Sequence, residues 1–376
     1  MLLSITPKLR NKIIGVGGDI KINIFKLNYN RITEYKIEDD ISTISGWNRF
    51  TFLMAELVDK DTVILIDKHP AYFTSNYIRD NFKNFNIIEI PHHFAHAALP
   101  LVETKKEKII CAVFDGTGYG IDNTIWGGEF IQCAKEGFKR SGCIERFQLV
   151  GGDLAVKSPY RCALSLIHRL DKELIDFTIN HLIKGVDKSK IDAILNIIHK
   201  SKSKIFTSSM GRLFDAVAVL CGFDKEFTEK EAEPAIYLTN IASCFQIDPK
   251  TDGVKSYELG IESIDGLYVL MLNRIIEGII KDLRDKLAVE YVAFRFHKTI
   301  IEATQKIFEL LTEKEKCNYC ALAGGVFQNK LLKEGLNDLA FISEKISCTD
   351  ISLGLGQIFY YLIKEGYNVS ISDWQS

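Results

Sequence analysis

Apolar residues recur along the chain with two different periods. Short apolar runs bounded by turn-forming or charged residues predict buried strands at 62–67 (TVILID) and 85–90 (FNIIEI). Apolar residues at helical spacing predict a helix over NRFTFLMAELVD, mostly helical structure from Pro159 to about residue 246, and an amphipathic helix over 267–287. This mixture of strands and helices predicts an α/β fold.

The end of the chain alternates in the same way. We expect a short strand in CALAGGV, a helix from about Gln328, a strand in KISCT and a last helix from about Leu355. The sequence contains no low-complexity segment and no long linker. The lobes are therefore expected to be interleaved rather than joined end to end.

A strand, a glycine turn and a second strand occur twice. The first copy is KIIGVGGDIKINIFKL, and the second, KIICAVFDGTGYGIDNTIWGGEFIQC, follows about a hundred residues later. In the second copy we expect Asp115 to close the first strand, with Gly116, Gly118 and Gly120 in the turn. The repeat suggests an internal duplication of an α/β unit, although two unrelated hairpins would give the same pattern.

Composition narrows the class of protein. A chain of 376 residues suggests two or three lobes, and 47% hydrophobic with 26% charged residues argues against disorder. The formal net charge of −2 gives no global signal for nucleic-acid binding. No apolar run has the roughly 18 residues of a membrane span, and the start lacks a signal-peptide core, so we expect a cytoplasmic protein. The nine cysteines are scattered, and the pair in CNYC is expected to be structural.

The segment PHHFAHAALP at 91–100 contains three of the eight histidines. Pro91 suits the first turn of a helix, because its missing N–H would have had no partner there. In a helix, His92 and His96 lie one turn apart on the same face and can reach one ion. The alternative is a helix start with incidental histidines. His93 lies on another face, where we expect a substrate contact or a packed core histidine.

Two aspartates are expected to end strands, Asp115 after AVF and Asp350 after SCT. Ligands of open α/β sheets gather at the carboxyl ends of strands, so both carboxylates could join the two histidines. Such a set suits Fe²⁺, Zn²⁺ or Mn²⁺ better than Mg²⁺. Each aspartate could instead cap the segment that follows it.

Three glycine turns, VGGD, FDGTGYG and LAGGVFQN, could bring backbone N–H groups close to phosphate. None matches the dinucleotide fingerprint or the Walker pattern. Arg161 and Arg212 could contact phosphate, or face solvent or pair with carboxylates. The turns together suggest a nucleotide in a cleft between lobes.

These segments add up to a resemblance that runs nearly end to end. The motifs are VGGDIK, DKHPAY, HHFAHAA, FDGTGYGIDNTIWGGEF, GGDLAVKSPYRCALSL, TSSMGRLFDAVA, EAEPAI, LAGGVFQNKLL and SCTDISLGLGQ. The chain resembles the carboxy-terminal carbamoyltransferase domain of the hydrogenase maturation protein HypF. That domain is similar to the tRNA threonylcarbamoyl transferase TsaD and to antibiotic O-carbamoyltransferases. GTGYG and TIWGGEF separate the HypF type from TsaD.

The resemblance implies two ribonuclease-H-like, actin-like lobes with a cleft between them. We expect a first lobe over 1–105 and a second over 106–376, with a helical insertion at about 159–260 and a last helix that could pack back on the first lobe. The resemblance implies that His92, His96 and Asp350 bind a divalent metal, Fe or Zn, and that Asp115 binds it or approaches the carbamoyl phosphate group. Asp115 and His93 are then the catalytic candidates. The implied nucleotide contacts are Gly116, Thr117, Gly118, Asp215, Gly324, Gly325 and Asn329.

The implied reaction moves a carbamoyl group from carbamoyl-adenylate to the carboxy-terminal cysteine of a HypE-like acceptor protein. The sequence departs from the family where Phe94 replaces a third histidine and where Ile351 and Ser352 replace a glycine pair. The acylphosphatase-like, zinc-finger and adenylate-forming modules of HypF do not precede the domain, so we expect a separate YrdC-like protein or module to make the adenylate. No membrane or nucleic acid is expected as a partner. The alternatives are a TsaD-like or small-molecule O-carbamoyltransferase and a non-catalytic nucleotide-binding partner subunit.

Overall fold

The computed structural model of the protein describes residues 1–201, 204–245 and 253–374. Its strands are β1 (Leu2–Thr6), β2 (Lys12–Gly15), β3 (Asn23–Asn28), β4 (Arg31–Lys36), β5 (Thr62–Asp67), β6 (Asn86–Ile90), β7 (Lys108–Tyr119), β8 (Ile125–Ala134), β9 (Gly137–Ile144), β10 (Phe147–Gln148), β11 (Phe206–Thr207), β12 (Gly260–Ile264), β13 (Leu267–Met271), β14 (Cys320–Ala323) and β15 (Asn368–Asp373).

The helices alternate with these strands. They are α1 (Ile44–Leu57), α2 (Phe73–Asn81), α3 (His92–Thr104), α4 (Asp153–Lys157), α5 (Tyr160–Ile167), α6 (Lys172–Phe177), α7 (Lys188–Lys200), α8 (Met210–Leu220), α9 (Glu233–Ser243), α10 (Asn273–Arg284), α11 (Val289–Glu315), α12 (Lys330–Leu336) and α13 (Leu353–Lys364). Short helical turns of other pitch cover Thr178–Leu182, Gly325–Gln328 and Asp350–Ser352. None of the helices in the described ranges has both the length and the apolar composition needed to cross a bilayer.

The strands form two mixed sheets within the described residues. The first sheet has the order β15-β1-β4-β3-β2-β5-β6, in which β2, β5 and β6 are parallel neighbours. The second contains the antiparallel series β7, β8 and β9, with β14 added parallel to β7. Helices pack on both sheets, so the predicted α/β fold class with two lobes is confirmed.

Helix α3 lies between the two sheets. It packs on β7, β8 and β14 of the second sheet and on α13, which in turn covers β2, β3 and β5 of the first. Every residue from His92 to Val102 is buried, because the helix has no face turned to solvent. The histidine segment is therefore held where the two lobes meet.

The last part of the chain lies with the first sheet. Strand β15 pairs with β1 along its whole length, and α13 packs on the same sheet. Strand β15 was not predicted from the sequence. The lobe boundary near residue 105 stays a prediction. The helical region over 159–260 contains α5 to α9, while 202–203 and 246–252, on which that prediction also falls, lie outside the described residues.

Three of the predicted elements are wrong in part. Asp115 does not close a strand, because β7 continues to Tyr119 and pairs again with β8 at Gly118 and Tyr119, so Gly116 and Gly118 are strand residues. The KISCT segment is not a strand: Ser347 Oγ accepts from the N–H of Thr349, a local bond that competes with strand pairing, and Asp350 begins a short helix.

The predicted helix over 267–287 is also wrong at its start. Its first five residues form β13, which pairs antiparallel with β12 and parallel with β9. Asp265 and Gly266 connect β12 and β13 with φ values of +51° and +82°. An Asp-Gly pair in this conformation makes a tight hairpin turn, so the sequence contained a signal for the strand.

Gly324→Ala is expected to lower the free energy of unfolding by about 2–4 kcal/mol. Gly324 has φ +95°, and a Cβ there would lie 2.3 Å from the carbonyl oxygen of Phe114. Denaturant unfolding measures the loss. The matched control is Gly366→Ala, with φ +80° and no atom within 4 Å, which should cost about 1–2 kcal/mol through the backbone alone. Equal losses in the two variants would show that the overlap has no effect.

Candidate metal centre

Helix α3 presents two histidines to the junction of the lobes. It begins at His92 directly after Pro91, and the four-residue spacing places His96 on the same face. The two ring centroids are 5.0 Å apart, and both side chains are fully buried. The Nε2 atoms of both rings face the same two carboxylates.

Asp115 and Asp350 complete the group. Asp115 Oδ2 lies 3.2 Å from His92 Nε2 and 3.6 Å from His96 Nε2. Asp350 Oδ1 lies 3.1 Å from His96 Nε2 and 3.6 Å from His92 Nε2. One ligand atom from each residue lies within 4.8 Å of all the others. The structure thus brings together all four predicted metal ligands, from α3, β7 and the short helix Asp350–Ser352.

Asp67 supports the centre and was not identified from the sequence. Its Oδ2 lies 2.7 Å from His92 Nδ1, and its Oδ1 accepts from the N–H of His69. A carboxylate on Nδ1 keeps the proton on that nitrogen and leaves Nε2 free to bind a metal. The signal that could have found it is its position, because Asp67 ends the buried parallel strand β5.

The charges in the centre are strongly coupled. Burial lowers the pKa of His92, but the carboxylates of Asp350 and Asp67 outweigh it and hold that pKa well above the usual range. Burial raises the pKa of Asp115, but hydrogen bonds to His92 and His96 outweigh it and hold that pKa well below the usual range. Ionised carboxylates with imidazole nitrogens form a donor set that suits Fe²⁺ or Zn²⁺. The residues therefore fit a divalent metal.

Metal binding near neutral pH is expected to release about one to two protons. For His96, burial lowers the pKa, but hydrogen bonds to Asp115 and Asp350 raise it above the usual value, as happens for His92. A raised pKa means that the imidazolium persists near neutral pH, and its proton must leave before the nitrogen can bind a metal. Affinity should therefore fall as the pH is lowered. Calorimetric titrations in buffers of different ionisation enthalpy count the protons, and a pH-independent affinity would contradict this.

The glycine strand shapes the wall of the centre. Asp115 Oδ1 accepts from the N–H of Gly116 at 2.8 Å and of Gly325 at 3.4 Å, which leaves Oδ2 to face the histidines. A Cβ on Gly118 would lie 2.5 Å from His93 Cε1 and 2.7 Å from His92 Cδ2. Only glycine lets the two imidazoles approach this strand. Thr117 is partly exposed beside them.

His93 is buried against Trp126, with ring centroids 5.7 Å apart. Neither ring nitrogen has a hydrogen-bond partner in the described part of the chain. Burial and the neighbouring His92 hold its pKa well below the usual range, so the ring is neutral. Its catalytic role stays a prediction.

The structure does not bring the other predicted nucleotide contacts together in one group. Gly324 and Gly325 lie beside Phe114 and Asp115. Asp215 is buried on α8, where its Oδ2 pairs with Arg212 at 2.7 Å and its Oδ1 has no partner in the described residues.

Asn329 has its side chain engaged in a separate group. Its Oδ1 caps α12, and its Nδ2 donates to Thr239 at 2.8 Å and to His297 at 3.0 Å. Burial lowers the pKa of His297 to about 4, so its Nε2 can accept that hydrogen bond. All the nucleotide assignments, including those of Gly116, Thr117 and Gly118, stay predictions.

The fold and the site define a two-lobed α/β protein with a buried centre of two histidines and two aspartates where the lobes meet. Two family models match the parts of the chain that contain these four residues. The HypF Kae1-like domain model matches 8–103, and the model described as carbamoyltransferase, Kae1-like domain, second subdomain, matches 111–357. The chain belongs to the HypF family of Kae1-like carbamoyltransferase domains.

Individual relatives agree with this family. Carbamoyltransferase HypF of Synechocystis is 27% identical over 347 residues, which are 87% of this chain and 43% of that protein. Probable carbamoyltransferase HypF of Methanocaldococcus jannaschii is 29% identical over 383 residues, 94% of this chain and 47% of that protein. The chain spans about half the length of these curated relatives.

A solved structure agrees with the fold. The crystal structure of full-length HypF in the phosphate- and nucleotide-bound form has a TM-score of 0.84 at 27% identity, covering 95% of this chain and 56% of that one. The likeness therefore extends over nearly all of this chain.

Proposed function

We propose that this carbamoyltransferase domain moves a carbamoyl group from carbamoyl-adenylate to the carboxy-terminal cysteine of a HypE-like acceptor, in nickel-iron hydrogenase maturation. The observation that carries the proposal is the group of buried His92, His96 and Asp115 with partly exposed Asp350, in a chain of this family. A bound metal would supply polarisation of the carbamoyl carbonyl. The chain's own residues hold the donor at the lobe junction and shield it from water.

In the proposed reaction, the acceptor protein supplies the nucleophile. The acceptor thiolate forms a C–S bond with the carbamoyl carbon, the bond from that carbon to the phosphate oxygen breaks, and AMP leaves with the electron pair. Burial raises the pKa of Cys162 and Cys221 in this chain to about 12, so these thiols stay protonated. Thiolate rather than thiol is the reactive form, and in this proposal the acceptor's terminal cysteine supplies it.

The partners and the location belong to the same proposal. A separate YrdC-like protein or module would make the adenylate, and the reaction would take place in the cytoplasm. The full-length HypF relative has been solved in a phosphate- and nucleotide-bound form, which supports a nucleotide as a ligand in this family. Gly116 and Gly325 place their backbone N–H groups beside the metal ligand Asp115, whose Oδ1 accepts from both.

Incubation with carbamoyl-adenylate and a HypE-like acceptor tests the proposal. With divalent metal present, mass spectrometry should find one carbamoyl adduct on the acceptor's terminal cysteine. An acceptor whose terminal cysteine is replaced by serine is the matched control and should stay unmodified. An unmodified cysteine acceptor would contradict the proposal, and AMP binding without transfer would favour the non-catalytic nucleotide-binding partner.

A further inference from the structure

The loop after β5 carries two aromatic residues that are held rigidly at the lobe junction. The rings of His69 and Tyr72 stack with centroids 4.1 Å apart and planes 12° from parallel. The N–H of Ala71 donates to His69 Nδ1, which fixes the imidazole, and the ring of Tyr119 on β7 contacts it edge-on at 5.3 Å. The loop therefore contacts the strand of the other lobe that contains Asp115.

Tyr72 lies beside the metal centre. Gly18 separates it from Asp350: the Cβ position of Gly18 is 3.4 Å from Asp350 Oδ2 and 3.9 Å from Tyr72 Cε2. The charges of His92, Asp67, Asp350 and Asp115 all act on the phenol. The residue is partly exposed, so it lines the cleft instead of the core.

The hydroxyl of Tyr72 has no hydrogen-bond partner among the described residues, although its ring is fixed by stacking. A phenylalanine at this position would stack on His69 equally well, because the phenol oxygen takes no part in the stacking of the two rings. A phenol keeps its proton at neutral pH, so this hydroxyl can donate a hydrogen bond to a ligand in the cleft. A fixed donor beside a metal centre is complementary to an oxygen that gains negative charge.

We propose that Tyr72 is a catalytic residue that donates a hydrogen bond to the carbamoyl carbonyl oxygen of the adenylate, an inference that rests on the proposed function. When the acceptor thiolate forms the C–S bond, the carbonyl π electrons move onto that oxygen and the hydrogen bond strengthens. When the bond from carbon to the phosphate oxygen breaks, the carbonyl re-forms and AMP leaves. Tyr72 keeps its proton throughout.

Two stable adenylate analogues distinguish the hydrogen bond from Tyr72 to the carbamoyl oxygen from the other contacts that the site makes with the adenylate. One is an adenosine sulfamate that carries the carbamoyl group, and the other is the same sulfamate without it. Tyr72→Phe should weaken binding of the carbamoyl-bearing analogue by about tenfold and leave the bare sulfamate unchanged. The matched control is Tyr77→Phe, because the Tyr77 ring packs against Trp47 and Phe82. It should bind both analogues like the wild type.

The transfer reaction provides a second readout. Tyr72→Phe should retain the wild-type metal content, raise KM for the adenylate by about tenfold and lower kcat by about tenfold, so that kcat/KM falls by about 100-fold. Equal weakening of both analogues, or no weakening of either together with an unchanged kcat, would overturn the role of Tyr72 and leave the proposed function intact. Failure of the wild type to bind either analogue would overturn the proposed function, and this inference with it.

Discussion

His96→Ala is expected to remove stable divalent-metal binding and to leave the fold intact. His96 Nε2 is one of four ligand atoms in the centre, and its Nδ1 has no partner in the described part of the chain. The ring therefore makes its polar contacts only to the centre. Loss of one of four ligands should weaken metal affinity by about 100-fold or more. Metal content after gel filtration and a competition titration measure the effect.

A second histidine provides the control for this variant. His199 is exposed near the end of α7, and its ring centroid lies 6.0 Å from that of His168. His199→Ala should bind metal like the wild type. Circular dichroism and thermal unfolding should show that both variants are folded. Stoichiometric metal in His96→Ala would mean that the assignment of the centre is wrong.

Glu129→Ala is expected to lower the free energy of unfolding by about 3–5 kcal/mol. Glu129 is fully buried on β8, its Oε2 accepts from Arg140 Nε at 2.6 Å, and its Oε1 accepts from Ser208. The guanidinium of Arg140 lies over the ring of Trp126 at 4.3 Å. Removing the carboxylate leaves this buried charge without its main partner. Urea unfolding measures the loss.

Two further variants show whether the loss comes from the unpaired charge. Glu136→Ala, in the exposed turn between β8 and β9, should change stability by less than about 0.5 kcal/mol. Removing both charges in Glu129→Leu with Arg140→Met should recover much of the stability lost in Glu129→Ala, because no buried charge then lacks a partner. A free energy of unfolding for Glu129→Ala within about 1 kcal/mol of the wild-type value would contradict the account.

Secondary structure was predicted best for elements whose own residue pattern shows that they are buried. Strand β5 is an uninterrupted apolar run, and all six of its residues are buried as expected. The helix considered for the histidine segment is present as α3, which begins at His92 directly after Pro91. Prediction failed where pairing with a strand distant in the sequence determines whether a segment forms a strand. Strand β15 exists because β1 offers its edge, and β7 continues past Asp115 because β8 runs beside it.

The candidate site shows the same limit. His92 and His96 belong to one helix, so their spacing was sufficient to pair them. Asp350 is 254 residues from His96 along the chain, and it was proposed from its expected place at the end of a strand and then from the family resemblance, not from spacing. Asp67 was missed because hydrogen bonding to a ligand's second nitrogen leaves no spacing pattern. The structure shows that contact directly, at 2.7 Å.

Anomalous diffraction from crystals grown with one equivalent of Fe²⁺ or Zn²⁺ tests most directly whether these four side chains form a single metal site. The account predicts one peak at the lobe junction, bonded to Nε2 of His92 and His96 and to a carboxylate oxygen of Asp115 and Asp350. Metal–ligand distances should be about 2.0–2.2 Å. A peak bound by other residues, or no peak in fully loaded crystals, would contradict it.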